Sequence, residues 1–356
     1  MIDVSIVDKL SREPEAGAAL FGAQGLIENG DLLGHTFLRA NKATASFSFK
    51  VANGIKATLV DTGVLQLEPL QARASVVISS GIHGDEVVPV EICNDLIKKI
   101  CAGEIELQQR VLFIFGNPEA LVENTRFCDQ DLNRQFLSQF EEENDSKEQS
   151  RANRLKKAVA DFYNESKLQR THLDLHTTIN DSKYPIFALV PVVDCHNPIA
   201  TPLHTLLCNM GVDAVVHQDF YSSVFSSFSR QFFGASSTTI EIGAAKPFGR
   251  NDLSEYESIH SSLVDFLSYE LKAANRSAEV FSVTRMFTPK CDDAAMLLDG
   301  PAVNFEQHSV GTTIAKDGNR EFCVEHEDER LIFRRDWCVI GERSCVVVKP
   351  YHVHAL

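Results

Sequence analysis

The sequence predicts an α/β domain built around buried parallel strands, followed by a smaller module made of strands. Residues 74–79 and 110–116 are short apolar segments with β-branched residues, as is typical of buried strands. Between them, Leu96, Ile97 and Ile100 recur at helical spacing. A strand, a helix and a second strand at this spacing predict a parallel βαβ unit.

Further elements are predicted on both sides of this unit. Alternating apolar residues flank Asn53-Gly54, which is a strong hairpin signal. Residues 117–136 are polar and lack clear periodicity, which predicts a long loop. More strands are predicted at 172–176, 186–190, 213–217 and 238–242, and a long amphipathic helix is predicted over 252–272.

The pattern changes after residue 275. Short alternating stretches follow, separated by turns that contain Gly and Asp. We therefore predict an α/β domain over residues 1–275 and a C-terminal β module over residues 276–356.

Composition excludes several classes of function. The chain has 356 residues, of which 44% are hydrophobic, so it can bury a substantial core. The formal net charge of −15 argues against nucleic acid or an anionic membrane surface as a partner. No apolar run approaches the ~20 residues of a membrane span.

The sequence says less about the cellular compartment and the oligomeric state. The first ten residues lack an apolar segment, so we expect no secretory signal. The nine cysteines are scattered without a Cys-x-x-Cys pair, which is typical of reduced thiols. We therefore expect a cytoplasmic protein, and the sequence leaves open whether it forms a homo-oligomer.

The segment 81–86, Gly-Ile-His-Gly-Asp-Glu, forms the predicted turn between the first buried strand and its helix. Its glycines allow a tight turn, and His83 and Glu86 lie three positions apart at the carboxyl end of a strand, where open α/β sheets place their sites. Zinc accepts both ligand types. The pair alone is a weak signal, because a solvated turn with two polar residues explains it better.

The predicted strand 172–176 adds a second histidine. Its period of two places Asp174 and His176 on one face and two leucines on the other. His176 could complete a metal site with His83 and Glu86, while Asp174 could hydrogen-bond a ligand imidazole. His172 shares the same face and competes for the place of third ligand. A core histidine without a metal remains an alternative.

Glu241 lies inside the apolar strand 238–242. Burying an unpaired carboxylate is costly, so we expect Glu241 to face a cavity or a cation. A carboxylate beside a zinc site is the general base that metal-assisted hydrolysis needs. The alternative is a structural salt bridge.

The predicted loop 117–136 holds Arg126, Asn133 and Arg134. Arginine pairs bidentately with carboxylates and stabilises oxyanions. These donors in an acidic protein suggest a small anionic substrate, although a solvated loop remains an alternative.

Together these motifs resemble a known family. Segments 81–86, 116–118, 131–134, 173–177 and 241–243, with Arg126, occur in the order found in the zinc carboxypeptidase superfamily, and they resemble its succinylglutamate desuccinylase/aspartoacylase branch. Segments 63–70, 233–235, 246–253, 304–305 and 311–312 are similar to the desuccinylase members of that branch. The likeness spans residues 45–350.

The resemblance implies a carboxypeptidase-like α/β fold, a mixed sheet flanked by helices, with the β module narrowing the entrance to small substrates. It implies one Zn²⁺ per subunit, with His83, Glu86 and His176 as its ligands. Asp85 departs from the family pattern, in which Asn is more common, and we expect a small effect.

The resemblance also implies roles for residues around the metal. Glu241 would be the base and proton shuttle, and Arg126 would polarise the scissile carbonyl. Asn133 and Arg134 would clamp a substrate carboxylate, and Arg230 is similar to a further substrate-binding arginine.

The implied reaction is hydrolysis of N2-succinyl-L-glutamate to succinate and L-glutamate, the last step of arginine catabolism by the succinyltransferase pathway. An aspartoacylase-like amidohydrolase acting on another N-acyl amino acid is the alternative enzyme. The non-enzyme alternative is a binding protein that holds a structural zinc. The presence of Glu241 and Arg126 argues against it.

Overall fold

The structure is a computed structural model that describes residues 24–40, 42, 44–138, 146–191, 201–244 and 246–351. The predicted absence of a secretory signal concerns residues that lie outside this part, as does Cys195. The other cysteines are free thiols. Within the described part, no helix combines the length and the apolar character that crossing a membrane requires.

Twelve strands of the described chain form one mixed sheet. In spatial order they are β1 (Phe47–Lys50), β2 (Lys56–Asp61), β3 (Val64–Glu68), β5 (Arg110–Phe115), β4 (Ala74–Ser80), β6 (Gln169–Thr178), β10 (Ser236–Ala244), β8 (Ile186–Val190), β9 (Ala214–His217), β11 (Glu279–Phe287), β17 (Cys345–Pro350) and β16 (Arg330–Ile332). Strands β5, β4, β6 and β10 are mutually parallel and occupy the centre. The predicted βαβ unit is confirmed.

Helices cover both faces of the sheet. They are α1 (Leu32–Arg39), α2 (Val88–Ala102), α3 (Pro118–Glu123), α4 (Lys147–Asn164), α5 (Thr201–Asn209), α6 (Phe225–Phe233) and α7 (Glu257–Leu267), with short 3-10 turns at Ala52–Gly54, Leu132–Arg134 and Leu253–Tyr256. Residues 24–29 are also helical.

Strand β4 shows why two helical layers are needed. Every residue of β4 is buried. Val76 and Ile78 belong to the apolar cluster that includes α2, whereas Val77 belongs to the cluster that includes α4 and α6. Successive strand residues point to opposite faces, so a strand that is apolar throughout must be covered on both sides.

Two predicted elements differ from the structure. The segment 117–136 is not a continuous loop, because it contains α3, where the Asn117 side chain accepts a hydrogen bond from Ala120 N at the start and Asn124 is left-handed at the end. Such a short helix is too brief to show periodicity. The helix predicted over 252–272 is shorter, since a 3-10 turn precedes α7.

The strand-rich C-terminal region is confirmed, and part of it continues the large sheet. Strand β11 pairs in parallel with β9, and β17 pairs with β11. Strands β12 (Ala295–Met296), β14 (Thr313–Asp317) and β15 (Arg320–Cys323) form a separate small sheet, and β13 (Val303–Asn304) pairs with β7 (Asp181–Ser182). The division at residue 275 stays a prediction.

Candidate active site

The turn between β4 and α2 brings two polar side chains together. His83 Nδ1 lies 2.8 Å from Glu86 Oε1. The turn is possible because Gly81 has φ 61° and because Gly84 packs directly against the backbone of Ala120. A side chain at residue 84 would overlap that backbone.

Strand β6 delivers the second histidine to the same point. Leu173 and Leu175 belong to the apolar cluster on the opposite face, as the period of two predicts. His176 Nδ1 lies 2.8 Å from Glu86 Oε2, and the imidazole rings of His83 and His176 are 5.2 Å apart. One ligand atom from each of His83, Glu86 and His176 falls within 4.8 Å of the others. We call these three residues the His/Glu cluster.

His172 does not join the His/Glu cluster. Its Nε2 lies 2.8 Å from Ser79 Oγ and its Nδ1 lies 2.7 Å from Ser229 Oγ. Burial lowers the pKa of His172 to about 4, although the Asp174 charge opposes this shift. Of the two histidines left open by the sequence, the geometry therefore favours His176 as the partner of Glu86.

Two further carboxylates support the imidazoles from behind. His83 Nε2 lies 2.9 Å from Asp131 Oδ1, and His176 Nε2 lies 3.1 Å from Asp174 Oδ2. Each ring thus presents Nδ1 to Glu86 and Nε2 to a second carboxylate. This arrangement sets ring orientation and tautomer, as in sites where histidine binds a metal.

The support from Asp174 agrees with the sequence-based expectation, whereas the role of Asp131 was missed. Asp131 also accepts a hydrogen bond from Asn133 N and lies 3.6 Å from Arg134. The available signal was its place two and three positions before Asn133 and Arg134, but its partner His83 is distant in sequence. Burial raises the pKa of Asp131, but the hydrogen bond and charge of His83 outweigh it and lower that pKa strongly.

The ionisable side chains of the His/Glu cluster are almost completely buried. His83 and Glu86 are 3% exposed and His176 is 2% exposed. Burial disfavours the charged forms, but the two imidazoles hold the pKa of Glu86 well below its usual range. The charges of Asp174 and Glu86 similarly outweigh burial and raise the pKa of His176 well above its usual range. Positive charge is thus stabilised around the Glu86 carboxylate.

Glu241 lies on the same sheet face as the His/Glu cluster. It is the direct partner of His176 in the parallel pairing of β10 with β6. The side chain is buried, and Oε2 has no hydrogen-bond partner among the described residues. Burial and the nearby Glu86 charge raise the pKa of Glu241 to about 7, while the charge of His176 acts in the opposite direction. The sequence-based alternative of a salt bridge finds no support in these contacts.

The predicted cationic loop also reaches the cluster. Arg126 Nη1 donates to Glu86 Oε1 over 3.0 Å, and the Arg126 side chain remains 30% exposed. Asn133 Oδ1 accepts from Phe225 N, which fixes the loop to the start of α6. Arg134 donates to Asn133 O and lies near Asp131. Arg126, Asn133 and Arg134 therefore lie around one buried centre.

Arg230 and Asp85 lie less directly at the centre. Arg230 is half-buried in the last turn of α6, five residues after Phe225, so its backbone lies about 8 Å further along the helix axis. Asp85 Oδ1 is buried without a hydrogen-bond partner, and burial together with the Glu86 charge raises the pKa of Asp85.

The donor set of the His/Glu cluster fits a zinc ion. Two imidazole nitrogens and one carboxylate oxygen are the ligands of many catalytic zinc sites. The unpartnered Glu241 oxygen faces this side of the sheet, which suits a site that activates water. A second acidic group, Glu325, His326 and Glu329, fits less well, because Arg285 already pairs with both of its carboxylates.

Comparison with known proteins identifies the family of this chain. The catalytic domain of the succinylglutamate desuccinylase/aspartoacylase family matches residues 72–267. The chain belongs to this family. A succinylglutamate desuccinylase from Shewanella frigidimarina is 34% identical over 336 residues, which cover 91% of this chain and 97% of that protein.

Solved structures of family members show the same architecture. The succinylglutamate desuccinylase from Vibrio parahaemolyticus superposes with a TM-score of 0.81 at 29% identity, covering 90% of this chain and 94% of the other. The succinylglutamate desuccinylase from Chromobacterium violaceum gives a TM-score of 0.79 at 26% identity, covering 91% and 99%. The likeness therefore extends beyond the catalytic domain into the C-terminal strands.

Proposed function

We propose that this chain is a zinc-dependent amidohydrolase that cleaves N2-succinyl-L-glutamate into succinate and L-glutamate. The observation that carries the chemistry is Glu241, a buried carboxylate with an unpartnered oxygen, paired across the sheet with His176 of the His/Glu cluster. The names of relatives that match nearly the whole chain support the substrate.

His83, Glu86 and His176 would hold the zinc ion. Catalytic zinc sites use three protein ligands and keep one position open. When bound, zinc supplies a Lewis acid and lowers the pKa of a water to about 7.

Glu241 acts as the proton carrier. Its carboxylate accepts a proton from the water that adds to the succinyl carbonyl carbon. It then delivers that proton to the glutamate nitrogen as the C–N bond breaks, which releases succinate and L-glutamate. A carboxyl group whose pKa lies near neutrality can both accept and donate at physiological pH.

Cationic residues orient the substrate and stabilise charge. Arg126 already directs its guanidinium at Glu86, so it can donate to the oxyanion that develops at the carbonyl beside this residue. Asn133 and Arg134 bind a substrate carboxylate, supported by Asp131. Arg230 is retained as a candidate for another carboxylate on the basis of the family resemblance.

Release of succinate from N-succinylglutamate tests the proposal. N-acetylaspartate and N-acetylglutamate are assayed in parallel, with the protein as purified, after chelation, and after zinc is restored. We expect fast hydrolysis of the succinyl compound that is lost on chelation and regained with zinc. Preferential hydrolysis of an acetyl compound would move the assignment to an aspartoacylase-like activity within the same family. Failure of all three with zinc bound would refute the proposed reaction.

A further inference from the structure

Arg343 lies two residues before the start of β17, in the strand-rich C-terminal region. We infer that Arg343 binds one of the two terminal carboxylates of the substrate and thereby determines the preference for substrates with several carboxylates. This inference rests on the proposed function, because N-succinylglutamate carries a carboxylate at the end of the succinyl group, one on the glutamate side chain and one on the α-carbon.

Contacts between the C-terminal region and β6 position the surroundings of Arg343. Asn304 is buried, and its Nδ2 donates to Thr178 Oγ1, two residues beyond His176. Asn304 Oδ1 accepts a hydrogen bond from Phe333 N, and Phe333 has a left-handed backbone with φ 53°. The segment around Phe333 is therefore fixed to the strand that carries a residue of the His/Glu cluster.

Phe333 provides the platform for Arg343. The Phe333 ring lies 5.8 Å from the ring of Phe187, which is the direct antiparallel partner of Glu241. Directly paired strand residues point to the same face, so Phe187 and Glu241 share the catalytic face of the sheet. The guanidinium carbon of Arg343 lies 5.0 Å from the centre of the Phe333 ring. Arg343 is thus held above the catalytic face, outside the His/Glu cluster.

The charges around Arg343 favour the binding of an anion. Burial and the positive charges of Arg134 and Arg335 lower its pKa to about 10, and Asp131 acts in the opposite direction. Arg335 pairs with Glu342 at 2.6 Å and Arg134 has Asp131 at 3.6 Å. Among the described residues, no carboxylate forms an ion pair with Arg343 within 4 Å. A bound carboxylate would relieve this repulsion between like charges.

A stacked guanidinium without an ion-pair partner is well suited to bind a carboxylate. The aromatic ring holds the planar group, so less side-chain freedom is lost when a bidentate pair forms. The α-carboxylate lies next to the scissile amide and hence near the His/Glu cluster, where Arg126 and Arg134 are available. Arg343, which approaches from the C-terminal region, is therefore assigned to a terminal carboxylate.

The test compares Arg343→Gln with Arg335→Gln in the full-length, zinc-loaded protein. Arg335 is the matched control, because it is a neighbouring arginine that already has a carboxylate partner. We expect R343Q to raise KM for N-succinylglutamate about 10- to 100-fold, the loss typical of a hydrogen bond to a charged group, with kcat changed less than about threefold. We expect R335Q to change KM less than about threefold.

Two trimmed substrates identify the carboxylate. N-butyryl-L-glutamate lacks the succinyl carboxylate, and N-succinyl-L-norvaline lacks the side-chain carboxylate. We expect R343Q to leave KM unchanged for one of these compounds. The carboxylate that this compound lacks is then the one that Arg343 binds. An equal rise of KM for all three compounds would show a structural effect and overturn the inference.

The outcomes separate this inference from the proposed function. An inactive wild-type protein would contradict the proposed reaction, whereas an active wild type whose KM is unaffected by R343Q would contradict only the role of Arg343. If R343Q does not fold, Arg343→Lys keeps the charge without the bidentate fork. We then expect a rise of KM for N-succinylglutamate and for only one of the trimmed substrates, and an unchanged KM for all would refute the assignment.

Discussion

The Glu241 carboxylate shows how one side chain acquires its chemistry from its position in the sheet. The flanking residues Ile240 and Ile242 point into the apolar core on the opposite face. Glu241 therefore points toward the His/Glu cluster, where burial and the charge of Glu86 raise its pKa to about 7. A glutamate side chain exposed to solvent would be almost fully ionised at about pH 7 and would therefore be a poor proton donor.

Replacing Glu241 by Gln is expected to lower kcat about 10²- to 10⁴-fold, because the amide is nearly isosteric but cannot transfer the proton. Zinc content, measured by atomic absorption, should remain at the wild-type level. Glu255→Gln at an exposed position is the control and should change neither quantity. Wild-type turnover by E241Q would remove Glu241 from the mechanism.

Although Glu241→Gln is expected to lower activity, it is expected to raise the free energy of unfolding of the metal-free protein above neutral pH. Because the pKa of Glu241 is raised in the folded protein from 4.5 to about 7, the folded state binds more protons than the unfolded state between these values. Stability from this group is therefore present below pH 4.5 and lost as the pH rises through about 7. In metal-free protein we expect E241Q to exceed wild type by about 3 kcal/mol in free energy of unfolding at pH 8, and to differ little at pH 4.5.

Urea unfolding at the two pH values measures this difference. A stabilisation of equal size at both would show that the effect arises from packing and not from the Glu241 proton.

At the scale of secondary-structure elements, the site depends on the turn that joins β4 to α2. Asn117 N donates to Gly81 O, and Gly84 N donates to Arg126 O. These bonds tie the turn to the segment after β5, which supplies the cationic residues. The ideal Cβ position at Gly84 lies 2.1 Å from the carbonyl carbon of Ala120, which leaves no space for a side chain.

Gly84→Ala is therefore expected to lower the free energy of unfolding by about 3 kcal/mol, because backbone must move to relieve the overlap. It should also weaken zinc binding, since His83 and Glu86 flank this position. Gly25→Ala is the matched control, because it lies in the helical segment 24–29 with open space around it, and it should be neutral or slightly stabilising. A wild-type unfolding curve for G84A would contradict the close packing.

At the scale of the whole molecule, one sheet connects the catalytic strands to the C-terminal region. Phe187, Phe281 and Phe305 belong to a single apolar cluster that spans both parts. Asn304 adds a polar connection, because one side chain binds both β6 and the segment before Arg334. These contacts therefore make the C-terminal strands and the catalytic strands stabilise each other.

Asn304→Ala should lower the free energy of unfolding by about 1–3 kcal/mol, because it removes one buried and one partly buried hydrogen bond and leaves Phe333 N without its acceptor. It should also raise KM for N-succinylglutamate, since Phe333 and Arg343 lose their fixed position. Asn209→Ala, which removes a more exposed bond to Lys272 O, is the control and should cost less than about 0.5 kcal/mol. Equal losses in both variants would argue against a special role of Asn304.

The periodic parts of the chain were predictable. The alternation in β6 correctly placed His176 and Asp174 opposite Leu173 and Leu175, because strand periodicity is a local property. Helix α3 was missed because its six residues are defined by capping at Asn117 and Asn124 and not by an apolar pattern. Residue types with spacing, together with the family resemblance, were sufficient to name the members of the His/Glu cluster.

The sequence by itself determined the fold class, the family, and the side chains that could bind a metal or carry a proton. Strand periodicity left His172 and His176 open, because both share one strand face, and the family resemblance named His176. The tertiary structure supplied the physical distinction, since His176 contacts Glu86 whereas His172 contacts Ser79 and Ser229. It also decided the supporting role of Asp131 and the position of Arg343. Asp131 lies 48 residues from His83, and the Phe333 ring beside Arg343 is held through Asn304, which lies 126 residues from its partner Thr178. Contacts of that kind depend on how strands order in the sheet, which local patterns do not encode.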